Sequence, residues 1–264
     1  NSKTLRSLQA GEAVRIQPNS IEKIPANSMA FISYPELAQT SLENSTLRHQ
    51  KWQDLIEEMR ADEDILALYT FDGQGPRERS LVNQASFQNQ FSHGAIVGCR
   101  WTNGRWPSKG SLEFNSPSDR VHFQSTEPYQ TITLSLWVRL DAIPRRTTSL
   151  LSSSEKSSNS MDWALTPKGQ ITLKIQNDQN KRNHVFTSSA ILNRNMLGKW
   201  LHLVSVCNSN EKEVTHYLNS RKISEHKFPK SGLTSIKFGN AEIGNSSIKI
   251  SNGRTPIRYF IGRI

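Results

Sequence analysis

Residues 131–138, Thr131-Ile132-Thr133-Leu134-Ser135-Leu136-Trp137-Val138, carry the reading on which the fold turns. Apolar and polar side chains alternate, the period of a strand with one face in a core and the other in water. Working outward, further short strand-like runs lie at residues 65–71, 111–114, 120–123, 171–175, 200–206, 214–218 and 259–264, parted by stretches with Gly, Asn, Ser and Pro. Many short strands with regular turn signals predict an all-β fold, an antiparallel two-sheet sandwich over residues 65–264. Residues 152–160 (SSSEKSSNS) and 176–183 read as exposed connectors.

One segment changes period. In residues 45–60, Leu47, Trp52, Leu55, Ile56 and Met59 fall on one helical stripe, with Ser45 as N-cap, inside a linker helix spanning 41–64. An isolated helix of this length is marginal in water, so the stripe is expected to dock on a sheet. Residues 1–40 hold only short extended pieces: Ala13-Val14-Arg15-Ile16, a break at Pro18-Asn19, and Met29-Ala30-Phe31-Ile32. They read as the remnant of a β-domain whose main part lies upstream.

The chain has 264 residues, 35% of them apolar, and a net charge of +10. No run approaches the roughly 20 apolar residues of a membrane span. From Arg139 onward there are 20 Lys and Arg against 8 Asp and Glu, a balance of +12, whereas residues 1–138 hold 13 and 15, a balance of −2. The basic residues are scattered singly and no nucleic-acid-binding motif accompanies them, so solvated strand faces are the plain reading and no nucleic acid is expected. Cys99 and Cys207 lie outside any CxxC or metal-spaced pattern. A bond between them would constrain a long loop by up to about 4–5 kcal/mol. Two buried free thiols are the plainer expectation, because spacing does not bring sulfurs together.

Catalytic signatures are missing from the sequence: no HExxH, no Gly-x-Ser-x-Gly, no phosphate loop. No strand offers the Glu-x-Asp-x-Glu spacing that would set two carboxyl groups side by side, and Glu113 and Glu242 stand alone, so no catalytic residue is assigned. Calcium needs several oxygen ligands. Of Asp72, Asp119, Asp141, Asp162 and Asp178 only Asp72, at the end of the first strand, is a weak metal candidate, with turn capping the competing role. Trp101, Trp106 and Trp163 near turns, with Arg105, are candidate sugar-stacking residues, scaffold packing being the alternative. Trp52, Trp137 and Trp200 are expected in the core, and His202 as a core or hydrogen-bonded histidine.

The order ALYTFDG, HGAIVGCRWTNGRWPSKGSLEFNSPSDRVHF, TITLSLWVRL, GKWLHLVSV, VTHYLNSRKIS, AEIGN and FIGRI resembles LamG-like, concanavalin A-like jelly-roll domains over residues 65–264. The chain departs from that pattern at Asn219-Ser220, where the family commonly has Asp-Gly, and it stops at Gly262-Arg263-Ile264, where the family pattern usually continues with an acidic pair and a final strand. The front, LRSLQAGEAVRI followed by a Trp-bearing helix and ILALYTFDG, resembles the junction in bacterial FecR-type regulators. That resemblance implies a periplasmic, membrane-anchored sensor whose ligand is a glycan or envelope protein, with a sigma factor contacted through an upstream cytoplasmic segment. The alternatives are a secreted hydrolase or lyase on acidic polysaccharide and a purely structural envelope domain.

Overall fold

The computed structural model describes residues 9, 12–17, 20–25, 34–72, 75, 77–86, 91–154, 158–176, 183–228, 235–246 and 260–264. The chain divides into two compact units, Asn1–Lys51 and Trp52–Ile264. In the first, β1 (Glu12–Gln17) and β2 (Ser20–Pro25) pair antiparallel, and the helix α1 (Tyr34–Ala61) begins. Pro18-Asn19 and residues 29–32 lie outside the described residues. The helix starts at Tyr34 rather than at Ser45. Pro35 does not block it, because a first-turn proline lacks only an N–H that has no intrahelical partner anyway.

Within the second unit the docking stripe is narrower than the sequence suggests. Ile56 is buried, with Trp52 and Met59 packed beside it, against Leu68 and Ala85; Leu55 is exposed, as is Leu47 in the first unit. Residues 65–71 form no ladder, contrary to the strand expected there. Leu68 N instead donates to the side chain of buried Asn83 (2.9 Å), and Leu68 O accepts from the Gln84 backbone N–H (2.8 Å), so one side-chain bond and one isolated backbone bond stand where a ladder was expected.

The strands that follow are β3 (Ser80–Leu81), β4 (Gly94–Val97), β5 (Arg100–Asn103), β6 (Gly110–Phe114), β7 (Arg120–Tyr129), β8 (Thr131–Leu140), β9 (Thr148–Ser153), β10 (Met161–Leu165), β11 (Ile171–Ile175), β12 (His184–Thr187), β13 (Trp200–Asn208), β14 (Glu213–Leu218), β15 (Arg221–Lys227), β16 (Ile236–Gly244) and β17 (Gly262–Arg263). Among the described residues they form an eight-stranded sheet in the order β12-β11-β10-β9-β16-β7-β4-β3 and a seven-stranded sheet in the order β15-β14-β13-β8-β17-β6-β5. Late strands therefore sit mid-sheet: β16 between β7 and β9, β17 between β6 and β8. The core lies between the sheets, where Leu112, Phe114, Val138, Leu140, Leu201 and Leu203 of one face Val121, Phe123, Trp163, Leu173 and Ile236 of the other. Cys99 and Cys207 are both free and buried, and burial pushes each thiol up to about 12.

Two local expectations change. Ser152, Ser153 and Ser160, read as part of an exposed connector, are buried, the first two inside β9. The β14–β15 hairpin keeps its turn without Asp-Gly: Asn219 (φ 48°) and Ser220 (φ 66°) both take the left-handed conformation that a type I′ turn demands. Asn219 also accepts from His202 N through its side chain (2.9 Å), which offsets part of that strain.

Candidate functional site

Strand alternation sends residues of β7, β9, β10, β11 and β16 alternately into the core and out from the eight-stranded sheet. Phe123, Ala241 and Trp163 point inward, so His122, Glu242 and Asp162 point outward. Register then lines up one row across five strands: Lys174 opposite Asp162, Asp162 opposite Ser152, Ser152 opposite Glu242, and Glu242 opposite His122. Although they face away from the core, Glu242 is only 2% exposed and Ser152 1%. Ala164 and Thr172, one outward position further along, are buried too. This face is recessed.

Electrostatics hold the row in place. Arg120 Nε lies 3.1 Å from Glu242 Oε1 and Arg120 Nη1 donates to Ser118 O, which orients the guanidinium along the sheet. Ser149 donates to Asp162 Oδ1 (3.1 Å). The Ser152 hydroxyl, between the two carboxylates in register, is buried with no hydrogen-bond partner. Buried polar atoms are nearly always satisfied, so an orphaned hydroxyl on a recessed face marks a place where a ligand group or water can sit. The row presents two carboxylate acceptors with cationic and imidazole donors around them. That chemistry suits hydroxyl-rich ligands.

Sequence reading missed this cluster, and the signal for it was weak. Glu242 alternates with Ala241 and Ile243, which marks it as outward-facing, but nothing local says that Ser152 or His122 will be its neighbour. The residues nominated from sequence disperse instead. Trp163 is 2% exposed in the core, so it is not a stacking platform. Trp101 packs on the core and donates from Nε1 to Glu78 O (3.0 Å). Trp106 is buried against Trp52, ring centroids 5.7 Å apart, so it docks the helix end. Arg105 is exposed, with its guanidinium 3.5 Å from the Trp137 ring centroid. Trp137 and Trp200, expected in the core, stand half-buried on the outer face of the seven-stranded sheet, where His202 stacks on Trp137 at 4.8 Å and bonds Ser135 (2.8 Å).

Asp72 pairs with a buried lysine. Lys109 is buried and reaches Asp72 Oδ1 at 2.8 Å while also donating to Thr70 O and sitting 4.7 Å over the Trp52 ring. Desolvation pulls the Lys109 ammonium below its usual range, and Asp72 opposes that shift. Among the described residues no group of three or more His, Cys, Asp or Glu could hold a metal; Asp178 lies outside them. Because Asp72 is itself half-exposed, Asp72→Asn is expected to cost about 1–2 kcal/mol, below the cost of breaking a fully buried pair. Calorimetry with calcium and with chelator checks this: a calcium-dependent gain in the parent that the variant lacks would return Asp72 to metal binding.

No curated protein matches the chain. Among solved structures it is similar to the binding domain of Paraclostridial Mosquitocidal Protein 1, with 14% identity over 72% of this chain and 47% of that one, TM-score 0.51. It is also similar to the botulinum neurotoxin serotype D binding domain, with 14% identity over 76% and 47%, TM-score 0.50. Domain 4 of AbnA, a GH43 extracellular arabinanase from Geobacillus stearothermophilus, in complex with arabinotriose, matches at 17% identity over 75% and 87%, TM-score 0.50. The chain spans about half the length of the two toxin binding domains, and identities this low establish the shared fold. Residues 114–264, more than half of the chain, match the family described as the concanavalin A-like lectin/glucanases superfamily, and the chain belongs to it.

Proposed function

We propose that this chain is a non-enzymatic, glycan-binding sensor domain of a FecR-like, membrane-anchored regulator in the bacterial periplasm, with the upstream part of that regulator reaching a sigma factor. The observation that carries the binding half of this reading is the recessed row Asp162-Ser152-Glu242-His122, with Arg120 alongside. Its acceptors and donors match sugar hydroxyls, and the orphaned Ser152 hydroxyl offers a further partner. The regulator half rests on the FecR-like front of the sequence and on the extended hairpin and helix ahead of the sandwich. No helix among the described residues is long and apolar enough to cross a membrane.

Calorimetric titration against a panel of neutral and acidic oligosaccharides tests the binding site. Glu242→Gln and Asp162→Asn are each expected to weaken binding about tenfold to a hundredfold, the value of a hydrogen bond to a charged group. Full affinity in both variants sinks this placement. The regulator reading is tested by the reading frame ahead of Asn1, which should encode one apolar span preceded by a small cytoplasmic domain.

One observation favours a second reading, a polysaccharide hydrolase. Asp162 and Glu242 stand on strands two apart, about 10 Å between backbones, a separation that side chains can bring into the range of an inverting pair of carboxyl groups. Cleavage of any panel member, abolished by Glu242→Gln, would establish it over the sensor reading.

A further inference from the structure

The outer face of the seven-stranded sheet carries a second row, with its own chemistry. Register sets Trp200 opposite Arg139, Arg139 opposite Arg263, Arg263 opposite Glu113, and Glu113 opposite Arg100. Two guanidinium side chains thus stand directly opposite each other on neighbouring strands, an arrangement that repels unless something anionic lies between them. The anions present do not resolve it. Glu113 Oε1 reaches Arg263 Nη2 only at 3.5 Å, and Asp141 Oδ1 lies 3.4 Å from Arg139 Nε without hydrogen-bond geometry. Arg263 Nη1 is spent on Asn103 O (3.1 Å). The Nε atoms of Arg139 and Arg263 are both buried with no hydrogen-bond partner, although the side chains remain 31% and 21% exposed.

A third cation belongs to the same outer face: the Arg105 guanidinium lies 3.5 Å from the Trp137 ring centroid, and His202 of β13 stacks on the same ring at 4.8 Å. Trp137 is two residues before Arg139 on the same outward face of β8, and Trp200 closes the far side of the row. The patch is thus an arginine pair with unmet donors, a neighbouring guanidinium and an indole rim. Planar guanidinium forks recognise carboxylate, sulfate and phosphate by paired hydrogen bonds, and an indole face accepts the apolar face of a sugar ring.

We propose that Arg139 and Arg263 form an oxyanion-binding clamp, rimmed by Arg105 and Trp200, that takes a sulfate or carboxylate group of an acidic polysaccharide. The clamp lies on the opposite sheet from the Glu242 row, so the core separates the two sites and each can fail without the other. It also gives a location to part of the positive balance beyond Arg139: two of those cations face each other here without a full complement of acceptors.

The test is calorimetric titration of the whole chain with three probes: inorganic sulfate, a sulfated tetrasaccharide and an oligogalacturonate. Saturable binding is expected for sulfate and for at least one of the two oligosaccharides, with the sulfated and uronate arms distinguishing which anion the clamp prefers. Arg139→Gln and Arg263→Gln are each expected to weaken that binding about tenfold or more, the loss of one charge-assisted fork. Arg263→Lys, which keeps the charge and loses the fork, should fall between parent and Gln variant, and Lys168→Gln, an equal charge change in an exposed turn, should bind as the parent does. Absence of saturable binding by the folded parent overturns the clamp, as does full affinity in the Arg139→Gln/Arg263→Gln double variant. Tighter binding of a single-stranded oligonucleotide through the same arginines would overturn the assignment to a polysaccharide.

Discussion

Replacing Trp163 by alanine is expected to lower the unfolding free energy by about 3–5 kcal/mol, the range for removing a large aromatic from a packed core. For a domain of this size that corresponds to a fall in Tm of roughly 6–20 °C. The indole stands in the middle of the eight-stranded sheet, opposite Leu173 on one side and Leu151 on the other, and is 2% exposed. Its Nε1 has no hydrogen-bond partner, so the truncation removes no bond and the cost is lost contact and an unfilled cavity. Urea denaturation of parent and variant measures the difference. A loss below about 1 kcal/mol accompanied by weakened glycan binding would restore Trp163 to the stacking role that its position near a turn suggested.

Acidification should destabilise the sandwich through His216. The ring is fully buried on β14, with Nδ1 2.7 Å from the Ser205 hydroxyl and Nε2 3.2 Å from the Phe186 carbonyl on β12, across the core. A carbonyl only accepts, so Nε2 carries the hydrogen and Nδ1 accepts from Ser205: both nitrogens are satisfied in the neutral form. Burial is the main cause that pushes this histidine down to about 4; the Phe186 carbonyl opposes the shift and neighbouring His226, 5.9 Å away ring to ring, adds to it. Between pH 6.5 and about 4 the unfolded chain binds a proton at this position that the folded chain refuses. Stability from His216 is therefore complete above pH 6.5 and declines as pH falls toward 4, by roughly 3 kcal/mol in total. Urea midpoints at pH 7, 5.5 and 4 for the parent and for His216→Gln separate this from other titrations. The variant should lose less stability across that interval, and parallel slopes would exclude His216 as the cause.

Some features were readable in the sequence because they are local. Alternation in residues 131–138 and 200–206 marks strands and states which side chains share a face. It placed His202 opposite to Leu201 and Leu203, where it is found. The helix was visible from Trp52, Ile56 and Met59, although its start was hidden by a proline that the first turn tolerates. Where alternation was read without knowing which face meets the core, it misled. Trp137 and Trp200, expected in the core because they sit in patterned runs, stand outward, while Trp163, for which the sequence leaves both stacking and packing open, is packed in the core. Serine-rich residues 152–160 looked like solvent-exposed chain, yet Ser152 and Ser153 close a central strand.

Both candidate sites lie beyond what a local pattern can express. Glu242 meets Ser152 and His122 only because β16 inserts between β9 and β7, and Arg139 meets Arg263 only because β17 inserts between β8 and β6. A one-residue change of either register would turn those side chains to the other face. The amino-acid sequence by itself determined that this chain makes an antiparallel sandwich, that regularly alternating runs such as 131–138 and 200–206 are strands, and that no single strand carries two carboxylates at alternate positions. The tertiary structure alone decided which distant strands became neighbours, which outer face is recessed, and hence which lone charges became clusters, because strand pairing is a long-range choice made by the core as a whole.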